Sequence, residues 1–174
     1  MNIVFMMNIR SNSKEERFGL EHTASRSLPY QFAIKSWNTW CKKNNAELFI
    51  LDELLLPMEE MAICWQRYYL FDILDANEID YDQILLVDSD TIVHPNCPNF
   101  FEMTDHKYCG VHDEGSYDWI LRSIEKYSKY AFEGRQIKWW KYINGGFQIV
   151  NKQHKEFFNK MISLYNDNKD NFIQ

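Results

Sequence analysis

No run of apolar residues in this 174-residue chain approaches the ~20 needed to cross a bilayer. The N-terminal run, Ile3 to Met7, is too short for a secretory leader and gives way to Asn8. Both features lead to the expectation of a soluble, cytoplasmic protein. Cysteines are few and scattered. Cys41, Cys64, Cys97 and Cys109 form no C-x-x-C pair, which argues against a zinc cluster. The spacing suits reduced, mostly buried thiols. Positive charge is in deficit, with 19 Lys and Arg against 25 Asp and Glu, a net charge of −6. That balance argues against a broad nucleic-acid-binding surface. There is no internal repeat, low-complexity tract or interdomain linker, so one domain over residues 1–174 is expected.

What remains is ample core material. Hydrophobic residues make up 45% of the chain, enough to fold as a globule. Aromatics reach 16%, with six Trp and ten Tyr. Most should be core residues. A sugar- or base-stacking surface is their other use, and composition alone does not assign one.

The chain is organised around Ile84-Leu85-Leu86-Val87-Asp88-Ser89-Asp90-Thr91. A short apolar run bounded by polar residues reads as a buried strand. Residues two apart on an extended segment share a side, so Asp88 and Asp90 would emerge together where the strand leaves the sheet. Ligands of open α/β sheets bind beyond the carboxyl ends of the strands. Adjacent carboxylates repel unless a cation neutralises them, and Mg²⁺ or Mn²⁺ suits oxygen ligands. On spacing alone, an acidic turn with Asp capping the next segment accounts for the pattern equally well.

Taken in order, residues 2–7 read as a first strand and residues 8–26 as a polar loop carrying Arg10, Arg17 and Arg26. Ser27 and Pro29 suit a helix start, and Tyr30, Ala33, Ile34, Trp37 and Trp40 recur at helical spacing. Asn44-Asn45 ends that helix, and residues 46–51 form a second strand. Pro57 opens the next helix, with Met58, Met61, Trp65, Tyr68 and Tyr69 as its apolar stripe. Arg67 lies on it, placed either to reach the acidic pair or to make a surface ion pair with Asp72 or Glu60. Residues 108–112 predict a strand and 117–132 a helix. Residues 139–151 read as an extended approach, a Gly145-Gly146 break and a strand, and 153–166 as a last amphipathic helix. Strands alternating with helices mean a layered α/β fold.

Three segments then line up with a known family. The chain resembles nucleotide-sugar glycosyltransferases of the GT-A fold, most closely glycosyltransferase family 8, which includes lipopolysaccharide galactosyltransferases and glycogenin. Val87-Asp88-Ser89-Asp90-Thr91 is similar to the family's D-x-D motif. Trp65-Gln66-Arg67-Tyr68-Tyr69-Leu70 is similar to the helix whose basic residue faces the donor. Tyr142-Ile143-Asn144-Gly145-Gly146-Phe147 is similar to the Asn-small-Gly segment beneath the donor sugar. Asn2-Ile3-Val4-Phe5 fits the first strand.

The resemblance implies a Rossmann-like, mainly parallel sheet flanked by helices in three α/β/α layers. It implies a nucleotide-sugar donor, usually UDP-linked, a glycan or lipid-linked acceptor, Mn²⁺ or Mg²⁺, and transfer with retention of anomeric configuration. Asp88 would contact the ribose or the metal, and Asp90 would ligate the metal. Asn8 and Arg10 fall where the family contacts the base, although Ser11 replaces its usual Tyr. Arg67, Asn144, Gly145 and Gly146 match donor contacts. The family's later D-Q segment and metal-binding His find no counterpart before Gln174, so the chain is expected to be a shortened form. No nucleophile is assigned. Of the imidazoles, His112, beside Asp113 at a predicted strand end, is the outside candidate for a ligand. Two other functions fit the same acidic pair: a haloacid-dehalogenase-type phosphatase with Asp88 as nucleophile, and a non-catalytic nucleotide-sugar-binding module.

Overall fold

A computed structural model of the chain describes residues 1–9 and 27–172. Five strands form one sheet in the order β2-β1-β3-β5-β4: β1 Asn2–Met7, β2 Ala46–Leu51, β3 Gln83–Asp88, β4 Cys109–His112 and β5 Ile143–Asn151. β1 pairs in parallel with β2 and β3, while β5 pairs antiparallel with both β3 and β4. Four strands therefore run one way and β5 runs against them. The sheet is mixed and mainly parallel in direction, as the resemblance implies.

The unbroken apolar runs of β1 and β3 follow from burial on both faces. Side chains alternate between faces, so each strand feeds two cores. Ile3, Phe5, Ile84, Leu86 and Val150 pack with Leu70, Phe71, Leu74 and Phe158 on one side. Those partners come from α3 Leu70–Ala76 and α5 Lys155–Asp167. Val4, Met6, Leu85, Val87 and Ile149 pack on the other with Trp37, Trp40, Cys41 and Phe101. This second layer is α1 Ser27–Lys43 and the 3₁₀ turn Phe100–Met103. Cys41 lies within it, and burial pushes its thiol up to about 12, so it stays protonated and inert. Cys64, by contrast, is exposed, unlike the mostly buried thiols expected of the four. A further helix, α4 Tyr117–Ala131, follows β4, and a short one, α6 Lys169–Phe172, follows α5.

Pro57 begins a single turn rather than a continuous helix. The amides of Glu60 and Met61 bond its carbonyl at 2.9 and 3.0 Å, and Ala62 is then extended. Only afterwards come α2 Ile63–Gln66, a 3₁₀ turn Arg67–Tyr69 and α3. The cause is Gln66, which is fully buried. Its Oε1 accepts from Leu55 and Leu56, and its Nε2 donates to the carbonyls of Leu56 and Met61. Gln66 thus takes the Met61 carbonyl that a continuous helix would offer to Trp65, whose amide bonds Ala62 instead. A buried amide with four good partners is stable, whereas one left open is costly. The clamp fixes where Arg67, the next residue, leaves the helix.

Candidate active site

The parallel pairing brings two chain ends to one rim. Met7 is opposite Asp88, so Asn8 and Asp88 both stand where β1 and β3 leave the sheet. The Asn8 amide donates to the Leu51 carbonyl at 2.8 Å, tying it to the end of β2 as well. β5 arrives at the same rim from the opposite direction. With Phe147 opposite Val87, Gly146 comes alongside Asp88.

Arg67 joins these elements. Its Nη2 lies 2.9 Å from Asp88 Oδ1, and its Nη1 donates to the Gly145 carbonyl at 2.7 Å. The Arg67 side chain is 15% exposed and that of Asp88 40%, so the pair sits half in solvent, with the cation inward. Of the partners considered for Arg67, Asp88 is therefore the one it takes; Asp72 pairs instead with Lys155 at 3.4 Å. Beside Arg67, burial raises the Tyr68 phenol above its ordinary pKa, the guanidinium opposing that rise only in part, so Tyr68 remains protonated.

Gly146 is required by space. A Cβ there would lie 1.8 Å from Asp88 Oδ2. At Gly145 a Cβ would lie 3.7 Å from Arg67 Nη1, an ordinary contact. Both glycines lie within β5 and do not form a break ahead of it. Asn144 holds the segment in shape, its Oδ1 accepting from the Gly146 amide at 2.7 Å.

Two contributors were not foreseen. Gln148 is buried, and its Nε2 donates to the Gly145 carbonyl at 3.2 Å. The Tyr108 hydroxyl donates to Gln148 Oε1 at 2.6 Å. The Gly145 carbonyl is thus fixed from both sides, by Arg67 and by Gln148. A legible signal existed: Gln148 is two residues beyond Gly146, hence on the same face of a strand that is otherwise buried.

Asp90 follows the strand end. β3 ends at Asp88, so strand alternation does not reach Asp90, which occupies a turn and is exposed. Thr91 closes that turn, its amide and hydroxyl both donating to the Asp88 carbonyl. Trp37 Nε1 in turn donates to Thr91. Among the described residues, no three His, Cys, Asp or Glu side chains are grouped to hold a metal by themselves. His112 is exposed and meets the Trp139 ring edge-on at 6.1 Å. Arg10, with Ser11, Arg17 and Arg26, lies outside the described residues.

No protein-family model and no curated protein sequence matches the chain. Among solved structures it is similar to a glycosyltransferase involved in the glycosylation of the major capsid of PBCV-1. The likeness has a TM-score of 0.60 at 17% identity and covers 95% of this chain and 67% of that one. The two share an α/β architecture, a mixed sheet flanked by helices.

Proposed function

We propose that this protein is a metal-dependent glycosyltransferase that takes its sugar from a nucleotide-diphosphate donor, UDP-linked in the first instance, and delivers it to a glycan or lipid-linked acceptor. The observation that carries this reading is the bridge from Arg67 to both Asp88 and Gly145, at the rim where α/β sheets bind ligands. The shared architecture with a glycosyltransferase supports it.

The donor set fits a small hard cation only in part by itself. Arg67 occupies Asp88 Oδ1, which leaves Oδ2 and the exposed Asp90 carboxylate. Mg²⁺-type ions are commonly held by one or two carboxylates, the remaining positions going to substrate phosphates and water. Asp88 and Asp90 fit that pattern. When bound, such an ion supplies Lewis-acid stabilisation to the departing diphosphate.

The chain's own groups do the positioning. Arg67 fixes the Asp88 carboxylate and adds positive charge beside the site, where charge-assisted hydrogen bonds are strongest. Gly146 leaves room for that carboxylate, and Asn144 holds the backbone on which the donor sugar would rest. Asn8 borders the same rim on the base side.

The test is calorimetry with UDP-glucose, UDP-galactose and GDP-mannose, each with and without Mn²⁺. At least one is expected to bind in a Mn²⁺-dependent manner, and Asp90→Ala is expected to remove the metal dependence while leaving the fold intact. Absence of metal-dependent binding for every donor would contradict the proposal. Binding without transfer or hydrolysis would select a non-catalytic nucleotide-sugar module.

A further inference from the structure

Trp37, Trp40 and Trp65 are buried, whereas the other three of the six tryptophans, Trp119, Trp139 and Trp140, are exposed to 54, 40 and 56%. All three exposed ones fall within residues 117–142, with exposed Tyr117 and Tyr130 beside them. Three of these rings form a chain of contacts: Tyr117 meets Trp139 at 5.6 Å, and Trp139 meets Trp140 at 5.8 Å, while Trp119 meets Tyr142 at 6.5 Å. Concentration of exposed aromatic surface in one segment marks an interaction face.

The same segment reverses the charge of the chain. It carries six Lys and Arg against three Asp and Glu, while the whole chain has 19 against 25. The cations lie on the aromatics: Lys138 Nζ is 5.7 Å from the Trp140 ring and Lys129 Nζ 4.9 Å from Tyr130. On α4, Ile120 and Ile124 turn to the core. Trp119, Lys126 and Tyr130, spaced i, i+7 and i+11, then follow one flank of the helix. Trp and Tyr have an apolar body with a polar tip, and Lys an apolar stem with a charged head. These are the residues that settle at a lipid–water boundary, rings among the headgroups and ammonium groups at the phosphates.

We propose that α4 and the Trp139–Lys141 turn dock this protein on an anionic bilayer surface. Among the described residues no helix is long and apolar enough to cross a membrane, and the docking proposed is of this exposed face on the bilayer surface. Charge complementarity selects this occupant over a protein groove. Anionic headgroups attract the cationic segment and repel the rest of an acidic chain, which also sets the orientation. The inference stands independently of the transfer reaction.

The experiment is flotation of the full chain with vesicles of phosphatidylcholine, alone or with phosphatidylglycerol added. Binding to the anionic vesicles is expected to be at least about tenfold tighter, since each basic residue near the surface contributes roughly 1 kcal/mol, and to weaken as salt rises. Trp139→Ser with Trp140→Ser is expected to lose binding at least about tenfold, with circular dichroism unchanged because both side chains are exposed. Lys126→Glu with Lys138→Glu is expected to abolish the preference for anionic lipid. Failure to bind anionic vesicles at low salt overturns the proposal. So does equal binding to neutral vesicles, or undiminished binding by both double variants. Retention on a glycan array or a protein partner with no vesicle binding would assign the face to that occupant instead.

Discussion

Replacing Gly146 by alanine is expected to disable the site and destabilise the fold, while the same change at Gly145 is expected to do neither. The new methyl at 146 would lie 1.8 Å from Asp88 Oδ2 and 2.3 Å from its carboxyl carbon, closer than any real contact. Asp88 must swing away, and doing so breaks its 2.9 Å pairing with Arg67. Overpacking of this kind costs typically about 1–3 kcal/mol. For a chain of this length each kcal/mol lowers the melting temperature by roughly 2–4 °C. Loss of the placed carboxylate and guanidinium is expected to weaken donor binding by at least about tenfold. Gly145→Ala makes only an ordinary contact, 3.7 Å from Arg67. The two variants therefore serve as each other's control in thermal denaturation and calorimetry. If the clash with Asp88 is the cause, Gly146→Ala costs much less in an Asp88→Ala background, because contacting residues couple. Equal melting of the two alanine variants would show that Asp88 does not occupy the space over Gly146.

Arg67→Ala is expected to have the second largest effect. The substitution leaves Asp88 without its cation and takes one of two donors from the Gly145 carbonyl. Because Asp88 is 40% exposed, water compensates part of the loss. The stability cost is accordingly about 1–2 kcal/mol, at the low end for a charged hydrogen bond. Donor affinity is expected to fall about 10–100-fold, as expected when a hydrogen bond to a charged group is lost. Arg67→Lys discriminates between charge and shape. A single ammonium cannot make both the 2.9 Å contact to Asp88 and the 2.7 Å bond to Gly145 that the planar fork makes. Lysine should restore part of the stability and little of the affinity. A lysine variant that binds donor like the wild type would mean that Arg67 acts as a point charge alone.

The layered fold was legible because β1 and β3 are apolar on both faces and the helices show clean stripes, as in Ala33, Trp37 and Trp40. The site was legible to the extent that it depends on strand ends. Asp88 closes an apolar run, and parallel pairing carries Asn8 to the same rim. What escaped is non-local. The true reason for Gly146 is a carboxylate 58 positions earlier in sequence, brought near only by antiparallel pairing of β5 with β3. The Pro57 helix was misread because its breaker is Gln66, a residue with good helix propensity that binds a loop ten residues upstream. Asp90 was placed by strand alternation that stops at Asp88. The exposed tryptophans were invisible in composition, since Trp119 and Trp37 read alike until the core is built.

The most direct test of the proposed donor site is the anomalous difference map of crystals grown with MnCl₂ and UDP. Expected is a single manganese peak bonded to carboxylate oxygens of Asp88 and Asp90 and to the diphosphate, with Arg67 still on Asp88. Manganese bound elsewhere, or UDP bound away from the Arg67–Asp88–Gly146 group, would contradict it.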